Sequence, residues 1–291
     1  MTIATSNAPA TGTPRYRAPP LACDTHSHVF GPFGQFPPLR ASVYALPEAG
    51  PVAHEKMRRA LGMTRGVIVQ PAPYADDPSA MLSAIAGADG ALKGIAVAEP
   101  DISPTVLAGW VQAGIAGLRF TEVRAPNGEP YPGSVGFAAL RSLAPVMREL
   151  GLHAQLWAPP ALLAASLPDL LQLRVPLVLD HMAMLNPASE RHAALLGGLL
   201  PLVGNEDLWL KLVVCRIERA DLTGGEAVRE LHGRLLDTRP DRMLWGSDWP
   251  YVRLEPAPDA AAMLDLFADW TVADDRRQAV LVDNPATLYG F

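Results

Sequence analysis

The stretch CDTHSHVFGP at residues 23–32 begins as an apolar strand and ends at a Gly-Pro pair. Residues two apart in a strand face the same side, so His26 and His28 project from one face. Two imidazoles placed in this way can hold a metal ion, polarise a substrate oxygen, or serve only as hydrogen-bonded groups at a strand end. The same stretch is the first of a series of apolar runs, and that series predicts the fold.

Apolar runs of strand length recur along the whole chain. They occupy residues 22–30, 65–71, 92–100, 114–122, 153–159, 176–181, 208–214 and 242–250. Successive runs start about 31 residues apart on average, which is the size of one βα unit. The runs lack a strict alternation of apolar and polar residues, as is typical of parallel strands that are buried on both faces.

The segments between these runs have the spacing of amphipathic helices. One of them starts with Ser103 and Pro104, which favour a helix beginning, and continues with Leu107 and Trp110 three residues apart. Eight strands alternating with helices over about 250 residues predict a (β/α)8 TIM barrel. A doubly wound open sheet is the competing fold, but no Gly-rich phosphate-binding turn follows the first strand.

The sequence indicates one domain and a short arm. No linker divides residues 21–291, which we expect to form the barrel. Residues 1–20 are polar, rich in proline and without the apolar segment of a signal peptide, so we expect a flexible N-terminal arm. No run approaches the roughly 18 apolar residues that a membrane span requires. We therefore expect a cytoplasmic protein.

Charge and cysteine content exclude several classes of partner. The 291 residues carry a formal net charge of −6, which argues against a nucleic-acid groove or an anionic membrane surface. Cys23 and Cys215 are the only cysteines, so a disulfide-stapled scaffold and a thiolate zinc site are both disfavoured. A small molecule is the expected partner. The sequence is compatible with a homo-oligomer and does not predict the oligomeric state.

In a (β/α)8 barrel, the chemistry lies where the strands end and the βα loops begin. Polar side chains fall at or near these ends in six places: His26, His28, Arg119, Gln155, His181 and Asp248. The other histidines lie in helical or strand-start contexts, where we expect structural roles: His54, His153, His192 and His232. Asp24 is expected to orient a histidine or a loop.

The motifs at these ends resemble the amidohydrolase superfamily. They are DTHSH (24–28), LDH (179–181) and GSDWP (246–250), supported by FGP (30–32), GLRF (117–120) and the closing DNPATLYGF (283–291). The pattern over residues 20–291 is similar to the branch of pyrone-dicarboxylate lactonase and related sugar-lactone and muconolactone hydrolases. The resemblance implies a hydrolase that opens a small lactone, carboxylated or polyhydroxylated, in the catabolism of aromatic or sugar acids.

The resemblance also implies roles for four residues. Asp248 corresponds to the general base that takes a proton from the attacking water. His26, His28 and His181 correspond to groups that polarise the lactone carbonyl, directly or through a metal. Together with Asp248 they could bind one zinc-like divalent ion and leave a position for water. No lysine or glutamate at the fourth and fifth strand ends is placed to bridge two metals, and the branch includes metal-free enzymes. The sequence therefore leaves open whether the site binds one divalent ion or works without a metal.

An anionic substrate would need local cations in so acidic a chain. The resemblance implies that arginines clamp substrate carboxylates, and Arg119, Arg124 and Arg216 are the candidates. Glu122 and Glu218 lie beside them and either neutralise these arginines or contact a substrate hydroxyl or amine.

Further candidates for lining the substrate pocket are Tyr44, Gln155, Trp157 and Tyr251. Tyr251 stands where the resembled lactonases commonly carry histidine, and QLW (155–157) stands where a tyrosine is often seen. Both departures bear on the identity of the substrate more than on the type of reaction. The competing functions are a zinc-dependent decarboxylase of the same superfamily and a catalytically silent barrel that binds a sugar acid.

Overall fold

A computed structural model describes residues 5–217 and 225–291 of the chain. Parallel strands that follow one another in chain order form one eight-stranded sheet. They are β1 (Cys23–Ser27), β2 (Arg65–Val69), β3 (Leu92–Ala96), β4 (Ile115–Thr121), β5 (His153–Trp157), β6 (Leu177–Leu179), β7 (Leu208–Lys211) and β8 (Met243–Leu244). Each lies within one of the apolar runs, so the eight predicted strands are confirmed.

The sheet closes on itself between its first and last strands. Ser27 pairs with Trp249 in a parallel bridge. The backbone N–H of Thr25 donates to Trp245 O at 3.0 Å, and that of Asp248 donates to His26 O at 2.7 Å. The structure is therefore a (β/α)8 TIM barrel, as the spacing of the runs predicts.

Helices fill the connections between the strands. They are α1 (Pro51–Ala60), α2 (Ser79–Ala86), α3 (Pro104–Gln112), α4 (Phe137–Glu149), α5 (Pro160–Leu171), α6 (His192–Val203), α7 (Glu226–Thr238), α8 (Ala260–Trp270), α9 (Asp274–Gln278) and α10 (Asn284–Tyr289). Short 3-10 turns cover Ala72–Tyr74, His181–Met184 and Pro240–Arg242, and a π turn covers Ala279–Asp283. Within the described ranges, no helix has both the length and the apolar character to cross a membrane.

The alternation of side chains along the strands separates two apolar layers. The larger layer packs the strands against the helices. The smaller one contains Val67, Val178, Trp209 and Tyr289. Val178 shares a strand face with Asp180, and Trp209 shares one with Lys211, because residues two apart point the same way. The inner apolar layer therefore lies below a polar layer at the carboxyl ends of the strands.

The segment before the barrel packs against it. Thr5–Asn7 pairs in parallel with Leu46–Glu48 as a separate two-stranded sheet. The backbone N–H of Gly12 donates to Asp259, and the N–H groups of Arg15 and Tyr16 donate to Asp265 on α8. These contacts join the arm to the last helices, while its flexibility and its boundary at residue 20 stay predictions.

Candidate active site

The site forms where β1, β6, β7 and β8 end. His26 lies in β1 and His28 follows it directly, while Asp180 and His181 follow β6. Asp248 lies in the loop after β8, and its φ of +63° is a left-handed conformation that few side chains adopt. His181, with φ +49°, is also left-handed. Such backbone conformations persist where surrounding contacts over-determine them.

Asp24 holds the Asp248 loop in place. Its Oδ1 accepts hydrogen bonds from the N–H groups of His26 (3.1 Å) and Ser247 (2.9 Å), and its Oδ2 accepts one from the Ser247 hydroxyl at 2.6 Å. Burial raises the pKa of Asp24 to about 6, although the hydrogen bonds from Ser247 oppose that shift. Asp24 thus orients the loop that carries Asp248, the kind of contact that its position in the motif predicts.

The Asp248 carboxylate is the centre of the cluster. Its Oδ1 lies 3.5 Å from His26 Nε2 and 3.4 Å from His28 Nε2. Its Oδ2 accepts a hydrogen bond from Arg216 Nε. Burial alone would raise the pKa of Asp248, but the positive charge of Arg216, followed by smaller effects of the neighbouring histidines, outweighs burial and holds that pKa well below its ordinary value. Asp248 is therefore ionised at neutral pH.

Two further histidine contacts complete the group. The ring of His26 lies 5.2 Å from that of His28 and 4.8 Å from that of His181, measured between centroids. Burial lowers the pKa of His181 to about 4 and holds that of His26 well below its ordinary value. The structure thus brings the three histidines and Asp248 together, although they were chosen on separate stretches of sequence.

The geometry of His28 bears on metal binding. Its Nδ1 lies 2.7 Å from Val69 O, and a carbonyl only accepts, so Nδ1 carries a proton. In the neutral ring Nε2 then presents a lone pair to Asp248 Oδ1. Two acceptors that face each other at 3.4 Å are stabilised by a shared proton or by a cation between them.

The donor atoms fit one divalent ion. Ligand atoms of His26, His28 and Asp248 all lie within 4.8 Å of one another, and so do those of His26, Asp180 and His181. Both sets offer the nitrogen and oxygen ligands that zinc prefers. Among the described residues no such group contains all four residues that the resemblance implies, because His181 joins Asp180 rather than Asp248.

A buried polar network lies beneath the histidines, and the sequence analysis missed two of its members. Lys211 Nζ donates to Gln155 Oε1 at 2.7 Å and lies 3.7 Å from Asp180 Oδ1. Gln155 Nε2 and Arg119 both donate to Asp180 Oδ2, at 3.1 and 3.4 Å. Burial lowers the pKa of Lys211 to about 8 against the opposing charge of Asp180. The sequence feature that could have predicted this network is the single lysine within the apolar run LWLKLVV.

A cavity opens above Asp248. Its wall contains the side chains Phe30, His28, Tyr44, Arg119, Tyr131, Trp157, His181, Arg216 and Arg253. The free volume is about 40 Å³, well below the 300–1,000 Å³ typical of ligand pockets. A larger cavity of about 580 Å³ lies between α1 and α2 and contains none of these residues.

The cavity wall is cationic and aromatic. Arg119 lies over the ring of Trp157 at 5.1 Å, and Arg253 lies over the ring of Tyr131 at 5.6 Å. The Tyr131 and Trp157 ring centroids are 5.5 Å apart. Arg253 and Tyr131 were not among the sequence candidates, because nothing local distinguishes them from surface residues of loops.

Several predicted substrate residues lie away from this cavity. Arg124 is exposed in the loop after β4, and Gln155 and Tyr251 are buried without lining the cavity. Glu122 accepts a hydrogen bond from the N–H of Phe137 at 2.7 Å and so stabilises the start of α4. Glu218 lies outside the described residues.

The fold and this cluster define a class of barrels that carry imidazoles and a carboxylate at the ends of the first, sixth and eighth strands. A sequence model of the amidohydrolase family matches residues 23–291. The chain belongs to that family.

Several similar proteins carry the names of lactone hydrolases. The chain is 30% identical to a 4-sulfomuconolactone hydrolase of Hydrogenophaga intermedia, over 95% of this chain and 91% of that one. It is 29% identical to a 2-pyrone-4,6-dicarboxylate hydrolase of Comamonas testosteroni, over 95% and 92%. A solved Pseudomonas putida protein assigned as a 2-pyrone-4,6-dicarboxylic acid hydrolase has the same fold, with a TM-score of 0.80, 24% identity, and coverage of 93% and 97%.

Replacing Ser247 by alanine tests the anchoring of the Asp248 loop. The variant leaves Asp24 Oδ2 without its donor and the N–H of Trp249 without its acceptor. An unsatisfied buried group costs about 1–3 kcal/mol, so we expect a clear fall in Tm. Ser142→Ala, on the exposed face of α4, is the matched control and should change Tm little. Equal Tm values for the two variants in thermal unfolding would contradict the anchoring role.

Proposed function

We propose that this protein hydrolyses the ester bond of a small anionic lactone, with Asp248 as the general base. The observation that carries the proposal is an ionised, buried carboxylate on the wall of a cavity that three guanidinium groups also line. The relatives named above, whose substrates are lactones that carry acidic groups, support the same reaction.

The charge of the cavity indicates the class of substrate. Arg119, Arg216 and Arg253 face it, and Asp248 is the acidic residue in its described wall. Arg216 makes a close ion pair with Asp248, whereas Arg119 makes one longer contact, 3.4 Å to Asp180 Oδ2, and Arg253 lies over the ring of Tyr131. We therefore assign Arg119 and Arg253 to substrate anions. An overall charge of −6 repels anions at long range, so short-range hydrogen bonds must hold the substrate. The rings of Tyr131 and Trp157 offer flat apolar surface to an unsaturated lactone ring.

The proposed reaction follows from the positions of the donors and acceptors. Asp248 Oδ1 accepts a proton from a water molecule as the water oxygen attacks the lactone carbonyl carbon. Arg216 keeps the other carboxylate oxygen fixed, so that Oδ1 stays directed at the water. The acyl C–O bond then breaks, and the ring oxygen leaves and takes up the proton that Asp248 accepted, which restores the Asp248 carboxylate. The product is the ring-opened acid.

The developing oxyanion needs donors on the same side of the cavity. The ring of His181 lines the cavity, so we assign an N–H group of His181 to this oxygen. A divalent ion, when bound, would be held by His26, His28 and Asp248 and would supply further polarisation of the carbonyl.

The proposal includes a cytoplasmic location. Cys23 and Cys215 are both buried and free, as is common in proteins of a reducing compartment.

Asp248→Asn tests the general base. Asparagine has nearly the shape of aspartate but cannot accept the water proton, so we expect a fall in kcat of about 10²–10⁴-fold on an active lactone. The assay is a pH-indicator screen of carboxylated lactones, beginning with 2-pyrone-4,6-dicarboxylate. Circular dichroism must show the variant folded. Retention of more than about a tenth of the rate would contradict the assigned role.

Arg119→Ala and Arg253→Ala test the anion clamp. Each loses a hydrogen bond to a charged group of about 1.5–3 kcal/mol, so kcat/KM for a carboxylated lactone should fall roughly 10- to 150-fold. A neutral lactone of the same ring should be affected much less. Arg124→Ala removes the same charge from an exposed position outside the cavity and is the control, with kcat/KM expected to be nearly unchanged. Equal losses on charged and neutral lactones would refute the clamp.

A further inference from the structure

Lys211 is buried at the floor of the site, where a lysine is rare. The chain has two other lysines, Lys56 and Lys93, and neither is buried. Lys211, at 0% exposure, ends β7 with its Nζ among Gln155, Asp180 and His26. Burial of an ammonium group carries a large desolvation cost, which hydrogen bonds and opposite charges around the group must offset.

The contact with His26 has a consequence for the imidazole. Lys211 Nζ lies 3.4 Å from His26 Nδ1 in hydrogen-bond geometry. An ammonium only donates, so Nδ1 must accept and must lack a proton. A neutral imidazole with no proton on Nδ1 carries it on Nε2. Nε2 lies 3.5 Å from Asp248 Oδ1, which is an acceptor.

Asp180 competes for the same nitrogen. Its Oδ1 lies 3.3 Å from His26 Nδ1, and a proton on Nδ1 could be shared with it. However, that Oδ1 has no aligned hydrogen-bond partner among the described residues, whereas Oδ2 accepts from both Gln155 and Arg119. The carboxylate is thus turned toward those two donors, and Lys211 has the aligned contact.

We propose that Lys211 is a positioning residue that holds His26 in the tautomer with its proton on Nε2. In that tautomer the Nε2 proton of His26, which has no aligned hydrogen-bond partner among the described residues, lies on the side of Asp248 Oδ1, 3.5 Å from Nε2, and attracts the carboxylate that we assign as general base. The same tautomer removes the lone pair that a metal ion would need on His26 Nε2. Lys211 therefore favours use of His26 as a hydrogen-bond donor and weakens divalent metal binding by His26, His28 and Asp248. The consequence for rate rests on the proposed function, but the tautomer and the metal affinity do not.

The tautomer can be measured directly on the full-length protein without substrate. Nitrogen-15 NMR of protein labelled at histidine distinguishes protonated from unprotonated ring nitrogens, and a His26→Gln variant assigns the His26 signals. We expect an unprotonated Nδ1 and a protonated Nε2 in the wild type. A protonated Nδ1 at His26 would overturn the proposal, and this result needs no Lys211 variant to fold.

Lys211 variants test cause. Lys211→Met keeps an unbranched side chain that is one atom shorter and cannot donate, so His26 should gain a proton on Nδ1 beside Asp180. Lys211→Arg keeps a donor and should retain the wild-type tautomer if the longer side chain is accommodated. Lys56→Met removes an exposed lysine on α1 and is the control for loss of charge. An Asp180→Asn/Lys211→Met double variant, which removes both buried charges, serves where the single variant does not fold.

The second measurement is the affinity for Zn²⁺. The protein is first stripped of metal with a chelator, the chelator is removed, and Zn²⁺ is then titrated in by calorimetry. We expect Lys211→Met to bind Zn²⁺ about 10- to 100-fold more tightly than wild type, the range that partners of metal-ligating histidines typically control. Lys56→Met should bind as wild type does. Unchanged or weaker Zn²⁺ binding in Lys211→Met, with the fold intact by circular dichroism, would refute the role of Lys211. A protein inactive on every lactone but showing the expected tautomer and affinity would refute the proposed function alone.

Discussion

The close pairing of the first and last strands is the constraint on which the rest of the site depends. A Cβ atom on Gly246 would lie 2.6 Å from His26 Cβ, so only glycine allows the two segments to approach this far. The approach lets the N–H of Asp248 donate to His26 O and lets Asp24 bind both backbone and hydroxyl of Ser247. The contact that closes the barrel is thus also the contact that sets the carboxylate beside the imidazoles.

The cavity is rich in cations although the chain as a whole carries a net negative charge. The chain as a whole carries −6, yet the cavity contains three guanidiniums, with the ammonium of Lys211 below it. Asp248 and Asp180 hold these charges together and stay ionised because of them. The acidic and basic groups are therefore interdependent, and removal of one charge leaves its buried partner uncompensated.

The barrel could be predicted because its signal is local and repeated. Each apolar run specifies a strand, and the spacing specifies the helices between them. His26, His28, His181 and Asp248 could be chosen because strand ends meet at one rim in such a barrel. Their individual distances could not, since they depend on how far the strands are staggered.

Contacts between distant loops were not predictable in the same way. Arg253 and Tyr131 come from loops after the eighth and fourth strands, and no periodic pattern marks their meeting. In the sequence, Arg124 is as good a candidate as Arg119, because both lie near the end of the fourth apolar run. In the structure, Arg119 lies within β4 and is buried, whereas Arg124 lies in the following loop and is exposed. Lys211 was overlooked because its neighbours in LWLKLVV are apolar, although a lone charge in such a run is itself the sign of a buried partner.

Attack of water on the lactone carbonyl carbon can be followed with an oxygen isotope. A carboxylated lactone is converted by the enzyme in ¹⁸O-labelled water, and the product and the gas phase are examined by mass spectrometry. We expect one ¹⁸O atom in the newly formed carboxyl group of a ring-opened acid, with no release of carbon dioxide. Release of carbon dioxide with the ring intact, or a ring-opened product without ¹⁸O in that carboxyl group, would contradict it.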